Sequence, residues 1–198
     1  MRRIVAQGPG ATLLSPSAHP LHLALADSLH LRVRFLTPSI VRVFVGAHDA
    51  EATSHVCVAD GGDVPWQGRP LEDHSRFPDA VAVAVKEHTA LRIVLASSIV
   101  QVTVHLETHL RLSMARVDTG DVFYEDVAHG AYVFDACKAR HVCIRHADEE
   151  FYGLGEASGP LNRARRRYRI DAKDAMGYDA DSTDPLCASQ PHPRRNAR

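Results

Sequence analysis

The chain of 198 residues has one tryptophan, no Cys-x-x-Cys pair and almost no net charge, and each of these scarcities excludes something. A formal charge of −1 gives no field to draw the chain to nucleic acid or to an anionic membrane. No stretch approaches the ~20 apolar residues of a membrane span, and Gly8, Pro9 and Gly10 break any apolar run behind Arg2 and Arg3. Four cysteines, at 57, 137, 143 and 187, outline no disulfide framework, which a chain of this size does not need. Cys137 and Cys143 beside His141 or His146 match no common zinc spacing and are expected to be buried or half-buried strand thiols. A cytoplasmic protein without cofactor or metal is the expectation, with no nucleic-acid or membrane partner. The thirteen histidines are dispersed and assigned to solvent faces.

What the sequence has in abundance is period-2 alternation. Leu31, Val33 and Phe35 alternate with Arg32 and Arg34, Thr37-Pro38-Ser39 supplies a turn, and Val41, Val43 and Val45 alternate with Arg42 and Phe44. Alternation on both sides of a proline turn predicts a hairpin with one buried face and its arginines on the other. Further strands are predicted at Val81–Val85, Leu91–Leu95, Val100–Leu106, Leu110–Met114, Ala131–Asp135 and His141–His146, with a short one at His55–Val58. Short strands every 8–12 residues with no amphipathic helix between them predict an all-β, antiparallel β-sandwich. Val102, Val104, Leu110 and Leu112 are expected to face the core, and Thr103 and Arg111 to face away. Residues 1–28 read as an irregular lead-in, 29–186 as the domain and 187–198 as a tail. Residues 46–79 read as a long connection in which Trp66 packs a loop onto the core.

The densest stretch runs from Phe151 to Leu186. It holds Tyr152-Gly153-Leu154-Gly155-Glu156, then Gly159-Pro160-Leu161 through Tyr168, then Asp174-Ala175-Met176-Gly177-Tyr178-Asp179 and Thr183-Asp184-Pro185-Leu186. Its glycines do not keep dinucleotide-fingerprint spacing and lie in no βαβ unit, so a tight strand exit is expected. The basic cluster Arg163, Arg165, Arg166, Arg167 and Arg169 has acids nearby, at Glu150, Glu156, Asp171 and Asp174, and reads as ion pairing rather than as a nucleic-acid surface.

These three runs, in this order and at this spacing, resemble the N-terminal domain signature of the family-31 glycoside hydrolases, the α-glucosidase and α-xylosidase family. Ala164 and Arg165 stand where that family often has Arg-Gly, and Asp171-Ala172-Lys173 where it often has Trp-Asn-Thr. The resemblance implies a galactose-mutarotase-like β-sandwich, in agreement with the strand pattern. It also implies an α-linked oligosaccharide as substrate of the parent enzyme, with both catalytic residues on a (β/α)8 barrel. Such a barrel needs ~250 residues, and the likeness stops at Leu186, twelve residues before the end. The chain is therefore expected to be the front domain without the catalytic barrel, and to carry no catalytic residue itself. Of the acids Glu156, Asp171, Asp174, Asp179, Asp181 and Asp184, the resemblance points to Asp174 as the one that touches substrate, through charge-assisted bonds to sugar hydroxyls. A free-standing carbohydrate-binding sandwich is the alternative, and twelve aromatic side chains in all are few for it.

Overall fold

A computed structural model describes residues 3–15, 20–47, 81–135, 138–154, 159–169 and 179, and the backbone of 194–196. The chain forms two compact units, Met1–Ile144 and Arg145–Arg198. In the first unit the strands are β1 (Ile4–Val5), β2 (Thr12–Leu13), β3 (Leu21–Ala24), β4 (Leu29–Thr37), β5 (Ile40–Ala47), β6 (Ala84–His88), β7 (Arg92–Ala96), β8 (Val100–His105), β9 (Arg111–Arg116), β10 (Val122–Glu125), β11 (Tyr132–Asp135) and β12 (Lys138–His141). They build a four-stranded sheet in the order β2-β3-β4-β5, a five-stranded sheet in the order β10-β9-β8-β7-β6, and a three-stranded sheet in the order β1-β11-β12. Every pairing is antiparallel. Among the described residues there is no α-helix.

Side chains from the two larger sheets meet in one core, as the alternation predicts for a sandwich. Leu21, Leu23, Leu31, Val33 and Phe35 come from one sheet, and Ile93, Leu95, Val102, Val104 and Leu112 from the other. Each fully buried Leu or Val of this kind stabilises the fold by roughly 1.5–3 kcal/mol. Register fixes which residues face in. Val104 lies opposite Leu112, and Thr103 opposite Ser113, so Val102, Val104, Leu110 and Leu112 are buried while Thr103 and Arg111 are only half-covered. On the outer face of the β4–β5 hairpin the Arg32 guanidinium lies 5.8 Å from the centre of the Phe44 ring.

The structure departs from the sequence expectation in four places. The lead-in is not irregular, since it carries β1, β2 and β3. Leu21, Leu23 and Leu25 alternate there and are buried, and Pro9 and Pro20 lie outside the strands. The segment is also fastened by its backbone. Gly8 donates to the Thr108 carbonyl at 3.0 Å, and a Cβ at Gly8 would lie 2.4 Å from Leu106 Cα, so only glycine allows this approach. Second, β6 begins at Ala84 rather than Val81, and as an edge strand with a bulge between Val85 and Glu87 it leaves Val85 exposed. Third, the strand predicted at His141–His146 is β12 at Lys138–His141, because Asp135 pairs with Lys138 and Tyr132 with His141. Fourth, Cys143 is exposed, not buried. The chain has left β12 by then and meets Asp126 only in an isolated bridge.

In the second unit, β13 (Glu150–Tyr152) pairs antiparallel with β14 (Arg194–Asn196). Gly153 and Leu154 follow at φ of 102° and 73°, a tight strand exit of the kind the glycine spacing predicts. The Asn162 side chain caps the return, its Oδ1 accepting from the Phe151 and Ala164 amides at 3.2 and 3.0 Å. His55–Val58, Trp66, Cys57, Cys137 and Cys187 lie outside the described residues.

Candidate functional site

The site begins from an irregularity. Val122 pairs with Ala115 but Tyr124 pairs with Met114, a register shift within β10. Regular alternation would put residues 122 and 124 on one face, and the bulge instead turns Tyr124 to the face of Met114. The β11–β12 hairpin then presents Tyr132 and, directly opposite it, His141. Their rings stack at 4.6 Å between centroids and 11° between planes.

Beneath these rings lies Asp126, the only carboxylate among the described residues with no exposed surface. Its donors account for both oxygens. The Leu112 amide donates to Oδ2 at 2.8 Å, and the Tyr124 hydroxyl and His141 Nε2–H both reach Oδ1 at 2.7 Å. The Asp126 amide donates in return to the Leu112 carbonyl at 2.9 Å, so the side chain prolongs the β9–β10 ladder by one rung. Burial first, and then the charge and hydrogen bond of Asp126, push the Tyr124 hydroxyl far above its ordinary range. Burial and then the same charge do so for Tyr132. Both phenols are therefore fixed as neutral donors.

Above this network a groove of about 380 Å³ opens between β5, β9, β10 and the hairpin. Val41, Val43 and Val45 form one wall, and Tyr132, Phe134 and His141 belong to the other. The sequence expectation of a buried valine face on β5 is met only halfway, because β5 is the edge of its sheet and its valines border the groove. A rim of rings over an apolar wall suits a ligand with apolar faces and polar edges. It does not suit two-carboxylate glycoside cleavage, which needs two acids ~5–9.5 Å apart. Among the described residues no carboxylate lines the groove, and Asp126 is already saturated with donors.

The predicted substrate residue Asp174, with Glu156, Asp171, Asp181 and Asp184, lies outside the described residues, while Asp179 is exposed. In the basic cluster Arg163 is buried and Arg166 lies 4.8 Å from the centre of the Tyr168 ring. Sequence reasoning missed Asp126 and Tyr124, and weighed His141 only as a zinc partner of Cys137 and Cys143. The one available signal was Asp126 closing a strand pattern, and nothing in the spacing foretold the bulge.

Residues 30–192 match the glycosyl hydrolase 31 N-terminal galactose mutarotase-like domain. Among solved structures, the GH31 dextranase of Flavobacterium johnsoniae complexed with glucose superposes at a TM-score of 0.69 and 19% identity, over 94% of this chain and 21% of that one. The cycloalternan-forming enzyme of Listeria monocytogenes, in complex with a pentasaccharide substrate, superposes at 0.55 and 12% identity, over 87% of this chain and 15% of that one. The chain thus spans about a fifth of the dextranase's length or less. No curated protein matches its sequence. Among the described residues no helix is long and apolar enough to cross a membrane.

Proposed function

Because the chain belongs to the glycosyl hydrolase 31 N-terminal galactose mutarotase-like domain family, we propose that it is the front domain of an α-glucosidase-like enzyme acting on α-linked oligosaccharides. In this reading residues 29–186 form the domain that supports a catalytic barrel, and Asp174 on the D-A-x-G-Y-D run bonds substrate hydroxyls. The carrying observation is the family match over 30–192, which takes in β5 to β12 and the three signature runs. The dextranase has been complexed with isomaltotriose and the cycloalternan-forming enzyme with a pentasaccharide, which supports an oligosaccharide as the parent's substrate. Four cysteines without disulfide spacing support a cytoplasmic location.

The test has two arms. The purified chain is expected not to turn over p-nitrophenyl α-glucoside, and turnover abolished by a single carboxylate change within it would overturn the reading. With the chain joined to a catalytic domain of its family, Asp174→Ala should lower kcat/KM by the ~1–3 kcal/mol of one lost bond to a charged group. An unchanged kcat/KM would leave Asp174 holding only its own loop.

A second reading, sugar binding without cleavage, is favoured by the ring-lined groove. Calorimetric titration of the chain with isomaltotriose decides it. Saturable binding lost in Phe134→Ala supports this reading, and no heat of binding discards it.

A further inference from the structure

Although the histidines are scattered through the sequence, the fold brings His109 and His129 together. Their Nδ1 atoms are 3.4 Å apart and their rings nearly perpendicular, at 85° with centroids 5.5 Å apart. Both are held by the same N-terminal segment. His109 forms an antiparallel bridge with Gln7, flanked by the Gly8 amide on the Thr108 carbonyl and the Leu110 amide on the Ala6 carbonyl, each at 3.0 Å. His129 stands in the bend before β11, where Gly130 takes a φ of 66° and the Tyr132 carbonyl accepts the Ala6 amide at 3.0 Å.

The spacing is the informative quantity. A good hydrogen bond between ring nitrogens spans about 2.7–3.2 Å, so 3.4 Å is long for one proton shared between two imidazoles. With both rings protonated at Nε2, two lone pairs face each other, an arrangement that a cation between them relieves. Two bonds of ~2.0–2.1 Å meeting at a tetrahedral angle place their nitrogens about 3.4 Å apart, the separation found here. The other close pair, His22 Nε2 and His30 Nδ1 at 2.9 Å, is an ordinary hydrogen bond and has no such gap.

We propose that His109 and His129 form a two-imidazole site for a divalent late transition-metal ion, zinc or copper. Imidazole suits both ions, and copper should bind the more tightly. Among the described residues no group of three or more ligating side chains exists, so water completes the coordination. The ion clasps the bend after β8 to the bend before β11, and so fastens the N-terminal segment that runs between them. Binding to the folded chain alone then raises its stability by mass action.

Titrating the full chain with zinc chloride and with copper chloride at about pH 7.5, where free imidazole is mostly neutral, tests this. One equivalent should bind, at least about tenfold more weakly in His109→Gln and in His129→Asn, and unchanged in His22→Gln. Zinc should raise the melting temperature of the parent and of His22→Gln but not of the other two. Both substituted side chains are at least partly exposed, so metal-free melting should stay near the parent's and confirm folding. Absence of saturable binding, equal affinity in all four proteins, or loss confined to His22→Gln overturns the proposal.

Discussion

The Ser97 hydroxyl donates to the Pro38 carbonyl at 2.6 Å across 59 positions of sequence, tying the β4–β5 turn of one sheet to the β7–β8 turn of the other. The same Oγ accepts the Val100 amide at 2.9 Å and the Ile99 amide at 3.1 Å. One buried hydroxyl therefore closes its own turn and fixes the corner of the sandwich. Ser97→Ala strips an acceptor from two amides and a donor from a carbonyl, and should cost ~1–3 kcal/mol in urea unfolding. A loss below the scatter of surface substitutions would mean that water replaces Ser97 at no cost.

The alternation along β8 and β9 makes a paired prediction. Leu112 is buried opposite Val104, whereas Thr103 stands on the other face opposite Ser113. Leu112→Ala should lose ~2–5 kcal/mol and Thr103→Ala less than ~1. Similar losses at both positions would show the register to be off by one residue.

Those strands were legible because each alternates over five or six residues with valine or leucine on one side, a pattern only a half-buried strand needs. β3 carries the same alternation but is short and sits directly behind Pro20, so proline punctuation outweighed it. The groove was not legible for a different reason. It depends on a one-residue bulge that turns Tyr124 inward and on the pairing of Tyr132 with His141, and both follow from long-range register rather than local preference. The signature runs identified the family from their own residues, yet their substrate residue, Asp174, lies outside the described part of the chain.

His105 makes stability sensitive to acid. Burial first, and then the nearby Arg111 charge, hold its imidazole below the ordinary value of 6.5, against the pull of Glu107. The unfolded chain therefore takes up a proton at this position at a higher pH than the folded chain does. Its contribution is fully present above about pH 6.5 and is lost as pH falls through the lower, folded value. His105→Gln should flatten the decline in unfolding free energy between about pH 7 and 5, seen in paired urea titrations. A decline as steep as the parent's would assign the acid sensitivity to other groups.

Asp126 gives the sharpest test of the groove, because its two oxygens face donors only. An asparagine keeps the shape but has one acceptor oxygen and one donating amide. If the amide faces the Leu112 N–H, the ladder rung is lost. If it faces Tyr124 and His141, both rings lose the charged acceptor they share and must turn to accept instead. Either orientation gives up charge-assisted bonds, and Asp126→Asn should cost ~1–3 kcal/mol. Loss of packing alone cannot mimic the second consequence. The charge of Asp126 is a lesser cause, after burial, of the raised tyrosine hydroxyls, so its removal should lower both without returning them to the ~10 of an exposed phenol. Their folded values exceed the unfolded one, so their contribution is complete below about pH 10 and is lost as pH rises beyond it. The variant should therefore show earlier phenolate absorbance on alkaline titration, and a smaller part of its stability should depend on pH there. A variant that is destabilised but titrates as the parent does would mean that Asp126 serves only the β9–β10 ladder and does not tune the rings above it.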